Sequence, residues 1–469
     1  MRSSLIVGEE GPTSSAMNPT HRKEMMMKKN LPSNTERVQR FLAKRARNKK
    51  KGWDYSDAPD PRQEAKVTLS MESILWALEL GLLSNQPTLR DVETLNERLG
   101  WARTLVSASI SDSTLDTEAR RLDPAYLTDK LKRRVRDLYR SKMLAPVGLP
   151  CGIATVDGKN LATLNHDAGG TGHARSSENK KWHRSKKQEA KLGTDYYLML
   201  ALRATLTSAE AKPCIDQIAL PPGAGESTMV PAMVEALDQA YGRSGMFSVV
   251  DGDAGLTSLA NADLVDAKGY GYIFGLKGNQ PELFAEAQAL LEPKAKLDPV
   301  EAETPWERRN GKRIRRRLWR TDEMAGIENS VGSWNHLRQT WLVRQDTEDS
   351  HGNVEVEDRY FISSLLWNYF KPHQILLAVR NHWSVENDTF NSLDLQWRED
   401  SGPWCTQGLA VWALGILRLM AYNTAQLMRR RRLRKKTDGG ALRAPMSWRS
   451  LFKIIESALK LDITAACLG

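Results

Sequence analysis

The sequence predicts an α/β protein. Its sheet is mixed or parallel with flanking helices, an all-helical domain precedes it, and a β-rich insertion interrupts it. Three observations carry this. Residues 67–145 keep apolar side chains at helical spacing. From Gly148 to about residue 290, short apolar runs alternate with helical stretches, as strands joined by helices do. Residues 291–366 then read as alternating, β-prone segments separated by turn signals such as Asn310-Gly311 and Gly352-Asn353.

A chain of 469 residues with 41% hydrophobic content has room for two or three domains with packed cores. Its formal net charge of +11 favours a polyanionic partner, and nucleic acid is the first candidate. No run of about 18 apolar residues marks a membrane span. The longest apolar stretch, GLAVWALGILRLMAY, is short and broken by Arg418, so it reads as a buried helix. Cys151, Cys214, Cys405 and Cys467 form no CxxC pair. They predict neither a zinc site nor a disulfide scaffold, and a reducing cytoplasm is the expected setting. The N-terminus lacks the charged, apolar, then small pattern of a signal peptide.

Taken in order, residues 1–66 are polar and basic, with HRKEMMMKKN and RFLAKRARNKKKGW. They are expected to be disordered or locally helical, either a phosphate-contacting arm or a solvated start. VTLSMESILWALELGLLS is a helix, and PTLRDVETLNERLG a second, with Thr88 or Asp91 as cap and Gly100 as stop. SDSTLDTEARRLDPAYLTDKLKRRVRDLYRSKML adds two more, split near Asp123-Pro124. Within it KLKRRVRDLYRSK forms a basic face, turned to DNA or to solvent.

Ile153 to Val156 is then a short strand ending in Asp157. A long polar loop follows, whose His166, His173 and His183 lack ligand spacing. TDYYLMLALRATLTS is the next strand, and CIDQIALPPGAGESTMVPAMVEALDQAY a strand, turn and helix. Met246 to Val250 forms a strand running into Asp251 and Asp253. SLANADLVDAKG is a helix, and YGYIFGLKGNQPEL a strand, a turn and a helix start. In the insertion, RNGKRIRRRLWR makes a basic ribbon with an aromatic inside. Ile375 to Asp400 reads as an amphipathic helix through Ile375, Leu376, Val379, Trp383 and Phe390, with Trp383 as a core anchor. On it Glu386 stands one turn past His382. A buried helix from about Thr406 to Gln426, the cluster RRRRLRKK (Arg429 to Lys436) and an amphipathic SWRSLFKIIESALKLD complete the chain.

Asp157 and the Asp251/Asp253 pair each follow an apolar strand, and Glu386 lies on a later helix. Acids at strand ends of an α/β sheet can converge, with a helix closing one side. Three hard oxygen ligands suit Mg²⁺ or Mn²⁺. Two such ions about 3.5–4 Å apart support in-line phosphoryl transfer without a covalent nucleophile.

The same residues carry a family resemblance. VDGK (Val156 to Lys159), SVVDGDA (Ser248 to Ala254), GYIFGLKGNQPEL (Gly271 to Leu283), NGKRIRRR (Asn310 to Arg317), YFISSL (Tyr360 to Leu365) and RNHWSVEN (Arg380 to Asn387), with the following LD and RED, occur in that order. SDSTLDTEARRLDP (Ser111 to Pro124) is similar to the helical region ahead of them. The chain thereby resembles DDE-type transposases of bacterial insertion sequences, of the ISAs kind, over roughly residues 70 to 430.

The resemblance implies an RNase H-like catalytic domain over 149–430, with the β-rich insertion before the last catalytic helix. Around it stand a basic arm (1–66), a helical N-terminal domain with possible DNA binding (67–145) and a basic linker with a C-terminal helix (431–469). It implies a triad of Asp157, Asp253 and Glu386 binding two Mg²⁺ or Mn²⁺ ions. The family pattern puts the middle acid directly before Ala, which maps to Asp253; Asp251, closer to the strand, is the alternative. Implied partners are double-stranded DNA, as terminal repeats and as target, and a second copy of the chain on paired ends. The implied setting is the bacterial cytoplasm, with the nucleoid. Candidate DNA contacts are Lys159, Lys277, His382, Arg429, Arg430 and Arg431. Two positions depart from related transposases. His382 replaces an Arg four residues before the glutamate, and Leu393 a Lys seven after it. Other readings are a catalytically silent DNA-binding descendant and a metal-dependent nuclease without strand transfer.

Overall fold

The computed structural model describes residues 33–47, 52–63, 65, 67–176, 195–309, 311–407, 409–434 and 444–462. The expectations for the arm before Ser33, for His183 and for Lys435 and Lys436 lie outside these residues.

Helix α1 (Asn34–Ala46) starts at a capping box, in which the Ser33 hydroxyl accepts from Glu36 N–H and the Glu36 carboxylate accepts from Ser33 N–H. Helices α2 (Met71–Leu83), α3 (Leu89–Glu97), α4 (Asp112–Ala119) and α5 (Pro124–Arg140) begin at Ser70, Thr88, Ser111 and Asp123, each accepting from a first-turn N–H. The four helices fall where periodicity and caps predict. Part of the basic face of α5 is consumed inside the protein, while Arg133, Arg140 and Lys142 stay exposed. Lys130 is buried, donates to the Asp54 carbonyl at 2.8 Å and pairs with Asp57 at 2.5 Å. Lys132 pairs with buried Asp216 at 2.9 Å. Arg134 forks onto Glu79, which also accepts the Tyr55 hydroxyl at 2.6 Å. Charge spacing alone cannot distinguish such internal pairs from a DNA-facing stripe.

The main sheet contains β1 (Ile153–Leu164), β2 (His173–Ser176), β3 (Asp195–Leu206) and β4 (Cys214–Ala219). Helix α6 (Glu226–Tyr241) leads to β5 (Val249–Gly252), and α7 (Leu259–Ala267) to β6 (Gly271–Leu276). Strands β1, β5 and β6 are parallel, and β3 is antiparallel to β1. β1 does not end at Asp157. Its antiparallel ladder with β3 continues to Leu164↔Tyr197, whereas its parallel ladder with β5 stops at Val156↔Gly252. Asp157 therefore stands mid-strand, at the point where one neighbour leaves.

Helix α8 (Pro281–Leu297) absorbs the start of the expected insertion, because its apolar face reaches buried Leu291. The β-rich segment begins instead at β7 (Ala302–Glu303), and β8 (Glu307–Arg309), β9 (Lys312–Thr321) and the small pair β10 (Glu328–Asn329) and β11 (Gly332–Ser333) follow. Strands β12 (Gln339–Glu348) and β13 (Val354–Ser363) complete it. β13 lies antiparallel against β6, from Tyr360↔Leu276 to Ser363↔Ile273. The insertion thus extends the main sheet, in the order β2-β3-β1-β5-β6-β13-β12-β9-β7, with β4 on β3 and β8 on β9.

The predicted single helix over Ile375 to Asp400 is broken. Helix α9 (Pro372–His382) stops short of Glu386, a π-turn spans Val385–Phe390, and α10 (Asn391–Trp397) follows. Side chains satisfy the carbonyls near the break: Ser384 hydroxyl donates to Asn381 O at 2.5 Å and Asn387 Nδ2 to Trp383 O at 2.9 Å. Such widened turns are frequent at functional positions. Helix α11 (Ala410–Leu427) is buried along its whole length, and α12 (Trp448–Lys460) closes the chain from a Ser447 cap. The N-terminal helices share one apolar core with α11 and α12. Among the described residues no helix is long and apolar enough to cross a membrane.

Arg418, which breaks the apolar stretch of α11, has a buried purpose. Glu399 is fully buried and accepts from Arg203 at 2.9 and 3.0 Å, with Arg418 3.8 Å away. Burial pushes the Glu399 carboxyl up, but Arg203 outweighs this and holds it below its ordinary value. Removing the shared anion leaves two buried guanidiniums uncompensated. Glu399→Ala is expected to lower stability by about 3–5 kcal/mol, read as a lower urea midpoint. An unchanged midpoint would mean that the arginines find other partners.

Candidate active site

The register of the parallel strands sets the site. Thr155 pairs with Asp251 and Val156 with Gly252, where the ladder ends; Asp157 and Asp253 are the next residue on each segment, and both line one pocket. Residues two apart share a face, and the two acids project on the side that the π-turn covers. That turn delivers Glu386, which is exposed at the edge of the same cleft. Asp157, Asp253 and Glu386 line one pocket of about 270 Å³, together with His382, Trp383 and Lys277. Asp253 also accepts from Leu256 N–H at 3.2 Å, which orients its carboxylate through a short 3₁₀ turn.

Burial raises the Asp157 carboxyl to about 7; His382 opposes this, and Asp253, Glu386 and Glu226 add to it. Like charges brought together in a half-dry cleft disfavour ionisation. Among the described residues no group of three or more His, Cys, Asp and Glu stands ready-made to hold a metal ion. The three acids share a pocket without being closed onto one point.

Asp251 lies two rungs behind Asp253 and does different work. It is buried, and its Oδ2 accepts from Thr155 Oγ1 at 2.7 Å and faces His382 Nδ1 at 2.9 Å. Burial disfavours the His382 imidazolium, but Asp251 overcomes this, helped by Asp157 and Asp253, and the pKa is pushed up to about 9. His382 is thereby held toward its charged form beside the acids.

A fourth carboxylate stands beside these, and the sequence reading missed it. Glu226 opens α6, and its side chain fills the notch at Gly158: a Cβ there would lie 1.8 Å from Glu226 Oε1. Burial raises its pKa, and Asp253 adds to the rise. Only the loop before α6 brings Glu226 here. No local spacing advertises it.

The remaining candidates divide. Lys277 is exposed at the pocket. Lys159 is buried and paired with Asp394 at 2.5 Å, its ammonium over the Phe390 ring, so it fastens α10 to β1. The arginine cluster is tied into the fold. Arg429 donates to Met446 O at 2.7 Å and stacks on Trp448. Arg430 pairs with Asp388 at 3.7 Å. Arg431 donates to the carbonyls of Lys142 and Met143. Trp383 is partly buried, packs against the apolar cluster of α9 and the insertion strands as expected of an anchor, and has the Arg316 and Arg359 guanidiniums over its ring.

A family model described as the transposase DDE domain matches residues 153–424, from the first residue of β1 to near the end of α11. The chain belongs to this family. No curated protein matches the chain. The mixed sheet, with antiparallel β3 beside parallel β1, β5 and β6, is the RNase H-like arrangement of such a transposase. The matched span of the transposase domain contains Asp157, Asp253, Glu226 and Glu386, and all the strands of the insertion.

Proposed function

We propose that this transposase cuts DNA at the ends of an insertion sequence and joins the 3′ ends to target DNA, with Asp157, Asp253 and Glu386 as the acids that hold divalent metal. The observation that carries this is their meeting at one pocket from two adjacent parallel strands and a π-turn. The donor set is all carboxylate oxygen, which suits Mg²⁺ or Mn²⁺ over softer metals. The crowding of like charge that raises Asp157 favours a cation between the acids. Bound there, two ions would activate the attacking oxygen and stabilise the leaving one.

The protein's own groups prepare the rest. β1 and β5 hold Asp157 and Asp253 on a rigid platform. His382, charged through Asp251, offsets part of the negative charge and faces incoming phosphate. Lys277 meets the DNA backbone at the rim. The order and content of the motifs favour an element of the ISAs kind, a homodimer on paired ends, and action in the bacterial cytoplasm.

The test incubates purified protein with its element's terminal repeats, a target plasmid and Mg²⁺. Cleaved ends and joined product are expected. Cleavage without joining would favour a nuclease, and binding with neither a silent descendant. Glu226 gives a finer check. As a carboxylate supporting the metal site, its replacement in Glu226→Gln is expected to raise the Mg²⁺ concentration for half-maximal cleavage by about tenfold. An unaltered requirement would remove Glu226 from the metal site.

A further inference from the structure

We propose that Arg316, stacked on Trp383, is a phosphate-binding site for DNA running out of the catalytic pocket across the insertion strands. This rests on the transposase reading. The ladders place Gln345 opposite both Arg316 and Glu357, and Val343 opposite both Leu318 and Arg359. Arg316, Leu318, Arg359 and Phe361 therefore share one face of the sheet. Leu318, Val343 and Phe361 pack there against Ile375, Leu376 and Val379 of α9. Trp383, one turn past Val379, covers the end of this contact. Its ring centroid lies 5.0 Å from the Arg316 guanidinium and 4.2 Å from that of Arg359.

The neighbouring arginines have acids. Arg359 pairs with Glu357 at 2.8 Å, Arg380 with Glu307 at 2.8 Å and Arg320 with Glu301 at 2.5 Å. Arg316 does not. It is 6% exposed, no side chain or carbonyl among the described residues accepts from its guanidinium, and its buried Nε has no partner. Burial and the like charge of Arg380 push it down to about 10; Glu307 opposes this, and Arg359 and Arg309 add to it. An uncompensated buried cation is costly to a fold, and stacking on an indole returns only part of that cost. A guanidinium over a ring still has N–H donors to offer an acceptor, and a phosphodiester takes them up.

The position fits DNA. Trp383 and Arg359 line the catalytic pocket itself. Arg316, on β9, is two strands beyond β13, roughly 10 Å along the same face. Arg380, Arg359 and Arg309 act on it with like charge and Glu307 alone opposes them, so the local field is positive along a path that begins at the three acids.

The experiment measures binding of a short fluorescein-labelled duplex of arbitrary sequence to the full chain in EDTA, over a range of salt. Arg316→Gln is expected to weaken binding roughly fivefold and to reduce the slope of log K against log salt by about 0.9, one phosphate contact. Its melting temperature should not fall. Arg90→Gln, at an exposed arginine on α3, should leave the slope unchanged. A wild-type slope in Arg316→Gln overturns the site, and a lowered melting temperature with that slope assigns Arg316 to packing. Should Arg316→Gln fail to fold, Arg316→Lys in the same assay gives the decision. A lysine keeps the charge but not the fork: weaker duplex binding at an unchanged melting temperature supports the site, and wild-type affinity refutes it. Cleavage that still depends on Asp157 while Arg316→Gln binds normally would sink this site alone. Loss of both would reach the transposase reading.

Discussion

Asp157→Ala and Glu386→Ala are each expected to lower DNA cleavage by about a thousandfold or more, with duplex binding nearly unchanged. The magnitude follows from the chemistry. Stabilising the charge that develops on a transferring phosphoryl group takes several kcal/mol, and each 1.36 kcal/mol is about tenfold in rate. Binding is spared because the acids repel phosphate until a cation sits between them. Their removal should not unfold the protein. Glu386 is exposed on its turn, and Asp157 pays with a raised pKa for being crowded by Asp253, Glu386 and Glu226. Asp157→Ala removes that repulsion, so its melting temperature should hold or rise while activity is lost. This is the pattern of a residue kept for function against stability. An active Glu386→Ala protein would end the triad assignment.

What could be read from the sequence was whatever local chemistry decides. The cap at Thr88, the split at Asp123-Pro124 and the apolar run before Asp157 marked helix starts and a strand start in the right places, whereas the strand read over Met246 to Val250 begins only at Val249. Periodicity misled at the π-turn. Trp383 and Phe390 continue a helical spacing, so the extra residue that re-aims Glu386 left no trace in the pattern. Long-range pairing was hidden for a different reason. Lys159 with Asp394, Arg430 with Asp388 and Arg203 with Glu399 join residues far apart in the chain, and a lysine or arginine carries no mark of whether its partner is a protein carboxylate or a phosphate. The insertion looked separate because its strands alternate like a free ribbon. Only the β6 to β13 ladder makes them one sheet with the catalytic strands. Glu226 was invisible because its relation to Asp157 runs through the absent side chain of Gly158.

The middle acid separates two roles that one short motif, DGD, holds side by side. Asp253→Asn is expected to abolish cleavage as fully as the loss of Asp157, about a thousandfold. Asp251→Asn is expected to cost only about 10–100-fold, the range for a group that acts by orienting a neighbour. The register supplies the reason. Asp251 stands opposite Thr155, spends one oxygen on that hydroxyl and on His382, and is buried away from the pocket. Asp253 stands two residues further out and, with Asp157, lines the pocket. The two variants should also differ in a measurement that does not depend on turnover. An asparagine at 251 removes the anion that holds the His382 imidazolium charged, so the His382 pKa, followed by NMR, should fall from about 9 toward its ordinary value. Asp253→Asn should lower it less, because Asp253 ranks behind Asp251 and Asp157 in supporting that charge. The opposite ranking in cleavage, with Asp251→Asn inactive and Asp253→Asn active, would move the proposed metal site two rungs inward and make His382 its neighbour in place of Glu226.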